Sequence, residues 1–181
     1  MRQVFGITRP FRIPDGTLVA PFLNPRDSKS GLPFALLDGV SLSAGTIEPR
    51  SASKITIMPH VAQITFVRRG NLEVYMKGPA DAQRYSLALS ADQAVITEPG
   101  TYLQLVNDSD QPCEVLYIVT PAYVYEESNR KEVLYDDSVV AEESWEALEA
   151  AGWRTAARLP GAEEREAAVK RLAEKASRTA T

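Results

Sequence analysis

Between residues 40 and 126 the chain is cut into about eight short runs rich in Val, Ile, Leu, Thr and Tyr, spaced roughly ten residues apart. The runs are 41–47, 53–58, 63–68, 71–77, 84–89, 93–97, 102–106 and 114–120. Turn residues separate them: Gly70-Asn71, Gly78-Pro79, Pro99-Gly100, and Asn107-Asp108-Ser109-Asp110 ahead of Pro112. About eight short strands at this spacing are a signature of an antiparallel sandwich or barrel.

The flanks read differently. Pro10, Pro14, Pro21, Pro25 and Pro33 exclude a long helix from residues 1–39, which read as an extended arm with short strands at 17–22 and 34–37. Residues 127–181 form a C-terminal extension with two short helices, 142–151 and 161–176. In the first, Trp145 and Leu148 share a face, so Trp145 is expected to pack the helix onto the strands. The apolar stripe of the second, Ala162, Val169, Leu172, Ala173 and Ala176, is thin, and the helix reads as a solvated tail.

Hydrophobic residues make up 44% of the 181 residues, which marks a globular chain. A net charge of −4 provides no general attraction for nucleic acid or anionic lipid, so neither is expected as a partner. The single cysteine, Cys113, forms no internal disulfide and reads as a small buried residue. No secretory signal or membrane-length apolar stretch is visible, so a cytoplasmic location is expected.

Two stretches carry a spacing signal. Gln63 is followed after six residues by Gly70, and Gly100 is followed by Leu103 and then Asn107. Ala91-Asp92 opens the second stretch. These resemble the two motifs of the cupin superfamily, in which the first runs His-x-His, Glu, Gly and the second Gly-Asp, Pro-x-Gly, His, Asn. The resemblance implies an all-β, cupin-type antiparallel β-barrel or jelly roll over residues 40–126.

The family's metal ligands are replaced. By this alignment Thr56 and Met58 hold the two His positions of the first motif, Gln63 the Glu position, and Leu103 the His position of the second. Aligning Pro99 with the family's Pro instead places Gln104 in that last slot, which is no better a ligand. A divalent transition metal needs imidazole nitrogens or anionic oxygens. None is supplied, so no metal and no other cofactor is expected.

Strand alternation predicts an inner wall. Thr56 and Met58 share one parity, with Lys54 alongside, Gln63, Thr65 and Val67 continue the inner row after the turn, and Thr101, Leu103 and Leu105 share a parity on the second motif. An apolar cavity with a few polar points suits a small organic ligand, and Thr56, Met58, Thr65, Val67, Thr101, Leu103 and Leu105 are its expected contacts. Strand threonines also occur for propensity alone. Lys54, His60, Tyr102 and Gln63 are the candidate catalytic residues. Lys54 or His60 would move a proton, and Gln63 and Tyr102 would orient a carbonyl or hydroxyl. His60, the sole histidine, reads more simply as a loop residue at the rim, and Lys54 has the alternative of a side chain that snorkels outward.

Three functions follow. The first is a metal-independent isomerase, lyase or cyclase acting on a small organic molecule. The second is a ligand-binding or sensor module without chemistry. The third is a metal oxygenase with displaced ligands, which one histidine per chain cannot furnish from a single subunit. The arm resembles the N-terminal segments that cross between cupin subunits, and a homodimer is expected.

Overall fold

The computed structural model describes residues 9–24 and 39–179. The expected strand at 34–37 lies outside them. The elements run β1 (Phe11–Arg12), β2 (Leu18–Leu23), β3 (Ser41–Ile47), β4 (Ser51–Ala52), β5 (Ile55–Ile57), β6 (Ala62–Arg69), β7 (Asn71–Lys77) and β8 (Tyr85–Ser90). They continue with β9 (Ala94–Thr97), β10 (Tyr102–Asn107), β11 (Cys113–Thr120), β12 (Tyr125–Glu127), β13 (Val133–Asp136), β14 (Val139–Glu142), α1 (Trp145–Ala150) and α2 (Ala162–Thr179).

Two antiparallel sheets face each other. The first has the order β1-β2-β3-β11-β6-β9, and the second β14-β5-β10-β7-β8 with β4 also on β10. From β5 to β11 every step but β7 to β8 crosses between the sheets, as a jelly roll requires. The main core fills the space between them. It is built from the inward rows of β6, β7, β10 and β11, among them Val67, Val74, Met76, Leu103, Leu105, Val115 and Val119.

Three sequence features pin the turns. Gly70 links β6 to β7 at φ 89°, and a Cβ there would approach the Cys113 backbone to 3.2 Å. Asn107 is fully buried at the end of β10. Its Nδ2 donates to the carbonyls of Ile47 at 3.0 Å and Gln111 at 2.8 Å, while its Oδ1 accepts from the Ser109 amide and hydroxyl. One side chain thus ties the β10–β11 turn to the end of β3. Gly100 (φ 78°) turns the chain into β10 and donates its N–H to the Met58 carbonyl at 2.8 Å.

The C-terminal extension is more than helices. Its β14 pairs with β5 and so joins the second sheet. Outside that sheet, Trp145 and Leu148 of α1 pack with Ile55, Ile57, Tyr102 and Ala141. Ser144 caps α1 through its hydroxyl, which accepts from the Ala147 amide.

α2 corrects two expectations. It runs 18 residues rather than being short, and it is docked rather than a solvated tail. Ala168 and Leu172 bury against Val124 and Tyr135. Arg165 supplies the rest, as its Nε donates to Asp137 Oδ1 at 2.9 Å and its Nη2 to the Ala122 carbonyl at 2.9 Å. Asp137 is wholly buried, so this ion pair costs desolvation that only close hydrogen bonding offsets. Asp137 also accepts from Tyr135 and from the Val124 amide, which completes its shell. Among the described residues no helix is long and apolar enough to cross a membrane.

Candidate functional site

The inner wall is assembled by register. Leu103 of β10 stands opposite Thr56 of β5 and Met76 of β7. Gln63 of β6 stands opposite Thr97 of β9 and Val119 of β11, and Thr65 opposite Val95 and Tyr117. Directly opposed residues share a face, so Thr56, Gln63, Thr65, Thr97, Leu103 and Met76 line one interior. Met58, Val67 and Leu105 belong to the same inner cluster. Thr101 is buried just before β10.

The four polar residues make a small hydrophilic spot in an apolar lining. Gln63 Nε2 donates to Thr65 Oγ1 at 3.1 Å, and the Thr97 hydroxyl reaches Met76 Sδ at 3.8 Å. Thr56 Oγ1 makes a long contact, 3.5 Å, with the Leu103 carbonyl. Gln63 keeps 9% of its surface accessible, more than the three threonines. Cavities of about 340 Å³ and about 200 Å³ lie elsewhere, one between β13 and α2 and the other beside the β1–β2 turn.

Lys54, His60 and Tyr102 are not on this wall, which corrects the expectation that they share a cavity with Gln63. Lys54 Nζ, exposed, donates to Glu143 Oε1 at 2.8 Å. His60 Nε2 lies 2.7 Å from the Pro160 carbonyl. The Tyr102 hydroxyl donates to the Trp153 carbonyl at 3.0 Å, on the outer side of the second sheet. All three partners belong to the C-terminal extension, so these polar groups serve its docking. Lys54 departs from the expected wall because the strand is bulged. Val106 pairs with Ala52 and Leu103 with Thr56, so one extra residue intervenes on the β4–β5 side.

The sequence matches no family model and no curated protein. Solved structures do match in shape. The Drosophila melanogaster CENP-C cupin domain superposes with a TM-score of 0.50 at 13% identity, over 61% of this chain and 69% of that one. A recombinant oxalate oxidase in complex with glycolate gives 0.50 at 20% identity, over 61% and 53%. A Lactobacillus farciminis oxalate decarboxylase formate complex gives 0.52 at 14%, over 74% and 33%. The fold is of the cupin type.

Within this cupin-type fold the donor set does not fit a transition metal. The positions that the motif alignment assigns to ligands offer a hydroxyl, a thioether, a neutral amide and an alkyl chain at Thr56, Met58, Gln63 and Leu103. Among the described residues no group of three His, Cys, Asp or Glu is placed to hold a metal ion.

Sequence reasoning missed three residues of the cupin interior: Met76, Thr97 and Tyr117. All three sit on inward rows that two-residue alternation could have assigned once β7, β9 and β11 were registered. Tyr117 lies flat against Gly45, where an added Cβ would meet its ring carbon at 2.3 Å. Among the described residues its hydroxyl is the buried side-chain polar atom without a hydrogen-bond partner. Burial, with Asp15 and Cys113 adding to it and the nearby Thr17 hydroxyl opposing it, pushes this hydroxyl well above the ordinary tyrosine range. Burial likewise lifts the Cys113 thiol to about 11, and the Tyr123 hydroxyl rises for the same reason with Asp136 beside it. The titratable groups of the inner cluster therefore stay protonated at neutral pH.

Proposed function

We propose that this cupin binds a small neutral organic molecule at the inner cluster of Thr56, Gln63, Thr65 and Thr97, without a resident transition metal. The observation that carries this reading is the register of the wall. The four ligand positions of the resemblance hold no anion and no imidazole, and two further polar groups, Thr65 and Thr97, lie on the same wall. Amide and hydroxyl groups suit a carbonyl or hydroxyl on the ligand, while Leu103, Leu105 and Val119 suit its apolar body. Met58 and Met76 are the adjustable part of the lining. Both are unbranched thioethers that repack at low cost, so the ligand enters by displacing them. Neutrality of the ligand follows from the lining, because a buried charge without a partner is expensive.

A metal-independent isomerase, lyase or cyclase is the second reading, and Tyr117 is what favours it. Its hydroxyl is buried and stays protonated, with Thr17 and Asp15 beside it. A cyclase would need little beyond a confined conformer and one donor.

Thermal denaturation against a panel of neutral hydroxyl- and carbonyl-bearing small molecules tests the binding reading. A ligand at about one hundred times its Kd stabilises by about 2.7 kcal/mol. That shift should vanish in Gln63→Leu. A panel that leaves the melting temperature unmoved, or a shift indifferent to Gln63→Leu, contradicts the proposal. Consumption of the ligand that Tyr117→Phe abolishes would establish the second reading instead.

A further inference from the structure

Asp136, at the end of β13, is a carboxylate without a cation. Its Oδ1 accepts from the Tyr123 hydroxyl and from the Ser138 amide, the latter at 3.0 Å. Among the described residues nothing bonds its Oδ2, which keeps contact with solvent. The charges that act on it are of its own sign: Asp137 follows it in the chain, and Asp15 stands near it in the β1–β2 turn. Arg165, the cation of this corner, directs its Nε and Nη2 to Asp137 and the Ala122 carbonyl instead. Burying a carboxylate without a partner is costly. Burial accordingly lifts the Asp136 carboxyl to about 6, with Asp137 and Asp15 adding to the rise and the Tyr123 and Ser138 bonds opposing it. At neutral pH the chain therefore carries this charge at a cost to its stability, as binding sites commonly do.

Asp136 also lines a cleft. The cavity of about 340 Å³ between β13 and α2 lies at the lower end of the range that takes small molecules, about 300 to 1,000 Å³. Val133, Leu134, Val139 and Pro160 make its apolar wall. Val133 and Leu134 are each more than half exposed, so this wall is left open. Arg158, Glu164 and Arg171 line the cleft as well. Arg158 is bonded to Glu164, and Arg171 to Glu126 at 2.7 Å. These charges cancel in pairs, which leaves Asp136 as the uncompensated charge of the cleft.

We infer that this cleft binds an organic ammonium ion, with its ammonium group on Asp136 Oδ2 and its apolar body against Val133, Leu134, Val139 and Pro160. A primary ammonium brings three N–H donors and the positive charge that Asp136 lacks, and a charge-assisted bond is the strong kind. A carboxylate ligand would meet Asp136 with like charge, while both arginines of the cleft are already paired. A neutral ligand would leave Asp136 uncompensated. The inner cluster around Gln63 belongs to the space between the sheets, so the two sites stand or fall independently.

Binding needs Asp136 ionised, and the cleft therefore responds to pH. Of the other groups around it, Tyr123 and Tyr135 are held protonated by burial. The Gly161 amide and Arg158 hold the Glu164 carboxyl below its usual range. Burial raises the Asp15 carboxyl, which weakens its negative charge in the same direction as pH falls. Affinity for an ammonium ion should fall about tenfold for each pH unit below 6.

The test is an NMR titration of the full chain with butyl-, hexyl- and benzylammonium at pH 7.5, read on the backbone amides. Benzylammonium should bind with a Kd of about 1 mM or less and move amides within 133–139 and 158–171. Benzyl alcohol and benzoate should bind at least about tenfold more weakly. Asp136→Asn should weaken benzylammonium by at least about tenfold while keeping an acceptor for Tyr123 and Ser138. Ala167→Trp fills the cleft without touching Asp136 and should do the same. At pH 5 the wild type should bind about tenfold more weakly than at pH 7.5. The inference is overturned if none of the three ammonium ions gives a saturable shift up to about 20 mM. It is equally overturned by binding that benzyl alcohol matches, that either variant leaves intact, or that stays level from pH 7.5 to 5.

Discussion

Thr56 and Leu103 stand directly opposite each other on β5 and β10, both turned into the space between the sheets. Each occupies a position that the motif alignment assigns to a histidine. Because the two already share a face, restoring metal chemistry here is a question of side chains and not of backbone. The quadruple variant Thr56→His, Met58→His, Gln63→Glu, Leu103→His should therefore bind Zn, Ni or Mn. Without metal it should melt lower than the parent, since polar groups enter an apolar interior. With metal it should recover by mass action. A folded variant indifferent to all three ions would mean that the four side chains do not converge.

Gln63 separates binding from folding. Its amide donates to Thr65 within the wall. Gln63→Leu keeps the volume and gives up that bond, so the stability of the unliganded chain should change by no more than about 1 kcal/mol. Ligand-induced stabilisation should be lost entirely. Denaturant titration with and without ligand reads both quantities. A large loss of stability without ligand would make Gln63 a structural residue first.

The Arg165–Asp137 pair should dominate the docking of α2. Removing one partner of a buried ion pair typically costs about 3 to 5 kcal/mol. Arg165→Met should cost an amount in that range and open α2 to proteolysis and hydrogen exchange. Arg171→Met breaks a far more exposed pair with Glu126 and should cost less than about 1 kcal/mol. Equal effects of the two would contradict the assignment.

Asp136 should give stability a measurable pH dependence. Burial lifts its carboxyl from 3.8 to about 6, with Asp137 and Asp15 adding to the rise, while bonds from Tyr123 and the Ser138 amide oppose it. The folded chain therefore holds a proton that the unfolded chain has released between those values. The stability tied to this proton is complete below about pH 4 and is lost as pH rises through 6. Asn retains an Oδ1 for both donors. Asp136→Asn should therefore flatten the profile and be more stable than wild type at pH 7.5 by about 1 to 3 kcal/mol. A wild-type profile that is level between pH 4 and 7 would contradict this.

Much of the fold is legible from local rules. The ends of β3 and β7 follow from the turn residues that bound them, and the inward rows follow from alternation. The run at 53–58 misleads because a bulge between Ala52 and Thr56 interrupts that alternation, and a bulge has no signature in composition. The C-terminal extension misleads for a different reason. Its docking rests on Arg165 meeting Asp137 across 28 positions and on three polar groups meeting backbone and carboxylate partners. Nothing near Lys54, His60 or Tyr102 in the sequence indicates that Glu143, Pro160 and Trp153 will be there. Chemical capability is legible at these three positions, and the partners that bond them are not. The β12–β13 hairpin and β14 were missed because each strand is four residues or fewer.

Native mass spectrometry of the purified full chain, compared with its denatured mass, tests the central reading most directly. The account predicts a non-covalent organic mass in the native state, shed on denaturation and absent from Gln63→Leu. One transition-metal ion per chain, retained in the native spectrum and through a mild chelator, would contradict it.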